Sequence, residues 1–134
     1  MKTITIADQA TGRILRVQSL PDQFDAFVDG ATETAIEEQS NIYSDYILNG
    51  EITARPTQAT SLSKAEINAN GSDSVAILNA PIGATCTITS ADGTVIAEGP
   101  IDGSDSFTSD DSGLYHIVVT LFPYLDWEGT INAI

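Results

Sequence analysis

From Thr3 to Ile6 the chain alternates polar and apolar residues, and Arg13-Ile14-Leu15-Arg16-Val17 is a second short run of the same kind. Ala7 to Gly12 between them is rich in turn formers, so the two runs predict a hairpin. Leu20-Pro21-Asp22 breaks the pattern, and Asp22 to Ser40 is acidic and weakly patterned, which predicts a loop with one short strand or helical turn. A sharper signal follows. Tyr46-Ile47-Leu48 and Glu51-Ile52-Thr53-Ala54 flank Asn49-Gly50, a dipeptide that takes the positive φ angles of a two-residue type I′ turn. Arg55-Pro56-Thr57-Gln58-Ala59-Thr60 shows no apolar alternation, and its proline cannot donate to a ladder. This places a boundary: residues 1–56 form an N-terminal β-hairpin module, residues 57–61 a linker, and residues 62–134 a second domain.

The second domain reads as seven short strands: Leu62–Asn68, Ser74–Leu78, Ala84–Thr89, Thr94–Ala97, Ser104–Thr108, Leu114–Leu121 and Trp127–Ile134. Asn70-Gly71, Pro81-Ile82-Gly83, Asp92-Gly93, Asp102-Gly103 and Asp111-Ser112-Gly113 punctuate them. Short strands with turns at roughly 8–12-residue spacing predict a β-sandwich. Within it, Asp111-Ser112-Gly113-Leu114-Tyr115 resembles the Asp-x-Gly-x-Tyr tyrosine corner of immunoglobulin-like domains. The resemblance implies that Gly113 turns the chain into the penultimate strand. Tyr115 then packs on the core and bonds back to upstream backbone. Antibody domains carry a cysteine two residues after that tyrosine, where this chain has Ile117, and here the tryptophan, Trp127, falls in the last strand. The fold class expected is therefore all-β: a hairpin module followed by a seven-stranded immunoglobulin-like sandwich outside the antigen-receptor type.

Charge narrows the function classes. Five basic residues against nineteen acidic ones give −14 over 134 residues. Met1 to Lys64 holds five bases and nine acids, a net of −4, whereas Ala65 to Ile134 holds ten acids and no Lys or Arg. Such a surface is repelled by phosphate backbones and anionic leaflets, so neither nucleic acid nor membrane is an expected partner. Lys2, Arg13, Arg16 and Arg55 concentrate in the first module, whose strand edges can pair with another chain. Arg13, Arg16 and Arg55 are the residues expected near a docking interface. The module, small and without a disulfide, is expected to gain stability from copies of itself, as in a trimer, or from a larger partner.

Catalytic chemistry finds little to work with. His116 is the only histidine, and alternation with Tyr115 and Ile117 points it away from the core. There is no Gly-x-Ser-x-Gly elbow, Cys86 has no base beside it in sequence, and nothing singles out a carboxylate pair. Asp102, Asp105, Asp110 and Asp111 cluster near two turns and have the hard oxygens that suit Ca²⁺, but their spacing matches no EF-hand loop. The expectation is no enzyme, no cofactor and no resident metal. The N-terminal residues lack an apolar run of signal-peptide length, which predicts synthesis in a cytosol.

Five further stretches carry a resemblance. Ala10-Thr11-Gly12-Arg13-Ile14-Leu15-Arg16 and Asp45-Tyr46-Ile47-Leu48-Asn49-Gly50-Glu51-Ile52-Thr53-Ala54-Arg55-Pro56 are similar to a module found among tail genes of phages and prophages. Lys64 to Gly71 with Ala76 to Gly83, and the closing Phe122-Pro123-Tyr124-Leu125-Asp126-Trp127-Glu128, resemble the downstream part of the same small proteins. These are tail fibre or tail fibre assembly-like proteins. The resemblance implies a non-enzymatic virion component of the tail, fibre, collar or capsid surface, with other phage structural proteins as partners. Two alternatives stay open: a tail fibre assembly chaperone absent from the mature virion, and a module that binds host-surface carbohydrate. In the latter, Tyr43, Tyr46, Tyr124 and Trp127 would be stacking platforms.

Overall fold

A computed structural model describes all 134 residues. The protein is all-β, with thirteen strands and no helix. Its chain divides into two compact units, Met1–Pro56 and Thr57–Ile134.

In the first unit, β1 (Lys2–Asp8) lies between β2 (Ile14–Leu20) and β3 (Glu33–Ile36), both antiparallel to it. Four consecutive residues of β1, Ile4 to Ala7, are buried, because a central strand covered on both faces has no solvent side. Thr5 is the polar member of that run. Its hydroxyl is satisfied by the Glu38 carbonyl at 2.8 Å and the Ser40 hydroxyl at 2.7 Å, so burial leaves no polar group unpaired. The acidic stretch after Pro21 thus supplies both a third strand and a lid over one face of β1. A hairpin of β4 (Asp45–Leu48) and β5 (Glu51–Ala54) follows, turned by Asn49 at φ 52° and Gly50 at φ 79°. It joins the first hairpin through an Arg13–Tyr46 bridge and a bond from the Ile47 amide to the Gly12 carbonyl at 2.8 Å.

The second unit is a sandwich. One sheet has the order β10-β9-β12-β13-β7 and the other β11-β8-β6, where the strands are β6 (Ser61–Leu62), β7 (Glu66–Ile67), β8 (Val75–Leu78), β9 (Thr85–Ser90), β10 (Val95–Pro100), β11 (Asp105–Phe107), β12 (Gly113–Thr120) and β13 (Trp127–Ala133). Val75, Ile77 and Phe107 from the smaller sheet and Ile88, Ile117, Val119 and Ile131 from the larger belong to one buried cluster, so the two sheets face each other across a common core. Alternation is strict in β12: Tyr115, Ile117 and Val119 are buried, while His116, Val118 and Thr120 are not.

One expectation needs correction. The first strand of the sandwich is two strands in different sheets. Ser63 ends the pairing with β8, its amide donating to the Ala76 carbonyl at 3.0 Å while its own hydroxyl accepts the Ala76 amide at 2.8 Å. Beyond that break, Glu66 and Ile67 pair parallel with Asn132 and Ala133 of β13. The unit therefore has eight strands, β6 to β13, and not seven.

Residues 57–61, expected as a linker, are tied to the second unit. The Gln58 side-chain amide donates to the carbonyls of Val119 at 2.8 Å and Leu125 at 3.0 Å, and Thr60 is buried with its hydroxyl on Gln58 Oε1. Gln58→Ala leaves two carbonyls without that donor and is expected to cost about 1–3 kcal/mol. For the same reason a fragment of residues 57–134 should unfold at higher denaturant concentration than one of residues 60–134. Equal midpoints would show that the Gln58 contacts carry no stability.

The sheet edges of this unit are poor templates for pairing. β6, β7 and β11 have only two or three residues each. β10 is longer, but a register shift between Val95 and Ala97 and a terminal Pro100 interrupt its edge.

Candidate functional site

Tyr115 occupies the start of β12 with 6% of its surface exposed. Its hydroxyl donates to the Asp111 carbonyl, four residues upstream, at 2.9 Å and lies 2.7 Å from the Ser109 hydroxyl. Its ring meets Phe107 edge-on, with centroids 5.1 Å apart. Gly113, at φ 145°, provides the backbone turn between the two ends of this bond. The Asp111, Gly113 and Tyr115 constellation is thus a structural corner, closed on its own backbone.

The acidic turns are similarly self-contained. Asp105 accepts the amides of Asp102 and Gly103, and Asp102 accepts that of Ser104. Asp92, in the β9–β10 turn, accepts bonds from the Ser90 hydroxyl and the Thr94 amide, which pull its pKa down to about 2. Asp73 takes the Lys64 ammonium and the Asn68 amide, and both hold its carboxyl below the usual range. No three His, Cys, Asp or Glu residues are grouped so as to hold a metal ion. His116 is half-exposed beside Glu128, 3.8 Å away. Cys86 is a free, buried thiol whose pKa is raised by burial and, less, by Asp105, the reverse of what a nucleophile needs. Of the aromatic residues, Trp127 packs on the core cluster and lies over Gly129, while Tyr43 is 81% exposed in the other unit.

The first unit holds the arrangement that sequence reasoning missed. Arg16 does not simply face outward. Its guanidinium grips the Glu33 carboxylate with two bonds of 3.1 Å, and its Nη2 also donates to the Phe27 carbonyl at 2.8 Å. Glu33 Oε1 in turn accepts the Asp29 amide at 3.0 Å. Through this fork, two strands of the sheet hold the segment between them at two backbone points. Arg55 is also engaged inside its unit, with Nη1 on the Tyr43 carbonyl at 3.0 Å. Arg13 is exposed, its backbone bridged to Tyr46. The segment that Arg16 holds carries Phe24, Phe27 and Val28, which are 56%, 94% and 41% exposed. Three large apolar residues in a stretch without alternation were its only sequence signal.

The fork responds to acid in a defined direction. The Arg16 bond first, and the Asp29 amide second, hold the Glu33 pKa below the ordinary glutamate range. A depressed carboxylate contributes stability above its unfolded pKa and loses it as the pH falls through the folded one. Protection of the Asp29 amide from exchange, measured against the intrinsic rate at each pH, is therefore expected to be high at neutral pH and to fall below the ordinary glutamate range, before protection in the buried strand β1 falls. Exchange at Asp29 that is fast at neutral pH would show that the fork does not hold in solution.

Compared with protein-family models, with curated proteins and with solved structures, the chain finds no match.

Proposed function

We propose that this protein is a non-enzymatic structural component of a bacteriophage particle, which docks through its first unit and displays the second, an acidic immunoglobulin-like sandwich. The observation that carries this reading is the self-contained second unit. Its edges are short or interrupted, and the carboxylates of Asp73, Asp92, Asp102 and Asp105 accept hydrogen bonds from its own turns and backbone. A module built that way suits display better than chemistry. Support for the immunoglobulin-like part comes from the strand order, with the first strand shared between sheets, and from the Tyr115–Asp111 bond at the entry to the penultimate strand. The phage assignment rests on the resemblance of the Ala10–Arg16, Asp45–Pro56, Lys64–Gly71, Ala76–Gly83 and Phe122–Glu128 stretches to tail-associated proteins.

Mass spectrometry of purified virions is the direct test, and the protein should be present at fixed stoichiometry. Presence in infected cells with absence from the particle would favour an assembly chaperone. In a cryo-EM map of the particle, residues 1–56 should bury more area against their neighbours than residues 57–134. The ten acids of the second unit, set against Lys64 alone, make packing of that unit against copies of itself unfavourable at contact distances. A larger buried share in the second unit would reverse the division of labour.

A further inference from the structure

Phe27 leaves 94% of its surface in water. Burying a phenylalanine side chain is worth roughly 1.5–3 kcal/mol, and the fold of this chain does not collect it. An exposed aromatic in a loose loop would mean little, but this loop is held in shape. At its start the Phe24 amide donates to the Pro21 carbonyl at 3.0 Å. At its end the Asp29 carbonyl accepts the Thr32 and Glu33 amides at 3.0 and 2.7 Å, and the Asp29 carboxylate accepts the Ala31 amide at 3.0 Å. Between these, the Arg16–Glu33 fork fixes the Phe27 carbonyl and the Asp29 amide, on either side of Val28. The backbone is ordered before any partner arrives, which removes much of the ordering cost of binding. Beside the ring, Gln18, Leu20, Phe24, Asp25, Ala26 and Phe27 line a cleft of about 300 Å³. The loop thus offers an aromatic knob and an adjoining apolar notch.

Charge selects the occupant. Asp22, Asp25 and Asp29 lie along the loop; the Met1 ammonium stands 2.9 Å from Asp22 and Lys2 3.6 Å from Asp25. Both carboxylates stay largely in water, where such pairs are weak and open to exchange for a partner's cation. The first unit as a whole holds nine acids against Lys2, Arg13, Arg16 and Arg55, and the chain carries −14. An anionic lipid surface is repelled by this field. A second copy docked loop to loop would bring three aspartates against the same three. A different protein, with an apolar pocket rimmed by lysine or arginine, meets both the knob and its acidic surround.

We propose that the Phe24–Val28 loop is a preformed docking element for such a basic-rimmed apolar pocket on another protein. This rests on the reading that the first unit is the docking unit, and it names the residues and the partner chemistry. Phe24 and Phe27 supply the contact, and Arg16 acts as a positioning residue.

The test places a photo-crosslinking phenylalanine analogue at position 27 of the full chain, with Ile82, 68% exposed in the second unit, as the control position. Irradiation is carried out in cells assembling the particle. Position 27 should crosslink one protein that position 82 does not, through a peptide in which apolar residues are flanked by Lys or Arg. Yield should fall several-fold when extracts are irradiated in about 1 M instead of about 0.1 M salt. Phe24→Ser with Phe27→Ser should weaken binding to that protein about tenfold or more with the melting temperature unchanged. Arg16→Gln should weaken it with both rings intact. Crosslinking to a second copy or to lipid, or yield no higher than at position 82, would overturn the proposal. Purified particles that carry the double-serine variant at full occupancy would also overturn it, while leaving the virion reading intact. Selective crosslinking to a basic-rimmed protein, in a protein absent from particles, would do the opposite.

Discussion

Tyr115→Ala is expected to destabilise the second unit by about 3–5 kcal/mol, the range for deleting a large buried side chain without refilling its space. Three losses combine at this position. The ring is buried in the core between the two sheets, it packs edge-on against Phe107, and its hydroxyl ties the start of β12 to Asp111. Tyr115→Phe separates them, because it keeps the packing and removes only the oxygen. The partners it leaves behind are not stranded, since the Ser109 hydroxyl already donates to the Asp111 carbonyl at 2.9 Å. The phenylalanine variant should therefore cost only about 1 kcal/mol. In a domain of this size each kcal/mol corresponds to about 4–8 °C of melting temperature, so the two variants are readily resolved. Denaturant titration of residues 57–134 is the measurement. Equal effects would mean that the hydroxyl and not the ring organises the corner; no effect from either would remove the corner as a structural element.

What could be read in advance follows the range of the interactions. The corner was legible because its bond spans four residues, and the Asn49-Gly50 turn because two adjacent residues set its φ angles. The alternation around His116 marked Tyr115 and Ile117 as core for the same local reason, and both are buried. Gln58 shows the limit. Its carbonyl partners lie 61 and 67 residues away, so nothing near it in sequence distinguishes a stapled segment from a linker. The division of the first sandwich strand was hidden similarly, because the pairing of Glu66 and Ile67 with β13 is decided at the far end of the chain. The candidate interface was the least legible part. The three arginines of the first unit were visible as charges, but the Arg16–Glu33 fork exists only once β3 pairs with β1, and with it the fixed, outward Phe27. In a segment without alternation, a phenylalanine destined for solvent reads like one destined for a core.

Gly12 and Gly50 give the sharpest contrast available in the first unit, since both sit at nearly the same backbone angle, φ 78° and 79°. An alanine at either pays about 1–2 kcal/mol for a left-handed conformation. At Gly50, in the open β4–β5 turn, a Cβ meets nothing within 4 Å, and that strain is the whole effect. At Gly12 the Cβ would lie inside the van der Waals envelope of the Ile47 carbonyl oxygen, which is backbone and cannot rotate away. Accommodating it means moving the β4–β5 hairpin off the first hairpin, with loss of the Ile47 amide to Gly12 carbonyl bond. Gly12→Ala is therefore expected to cost on the order of 4 kcal/mol. A unit of residues 1–56 has a total stability of roughly 3–8 kcal/mol at ordinary values per residue, so a loss of that size removes half of it or more, and all of it in a small unit at the low end of that range. Amide spectra of the full-length chain should show the resonances of residues 1–56 collapsing towards random-coil positions in Gly12→Ala, those of the second unit unchanged, and Gly50→Ala close to wild type. Indistinguishable spectra for the two variants would mean that the hairpins do not meet at Gly12 in solution.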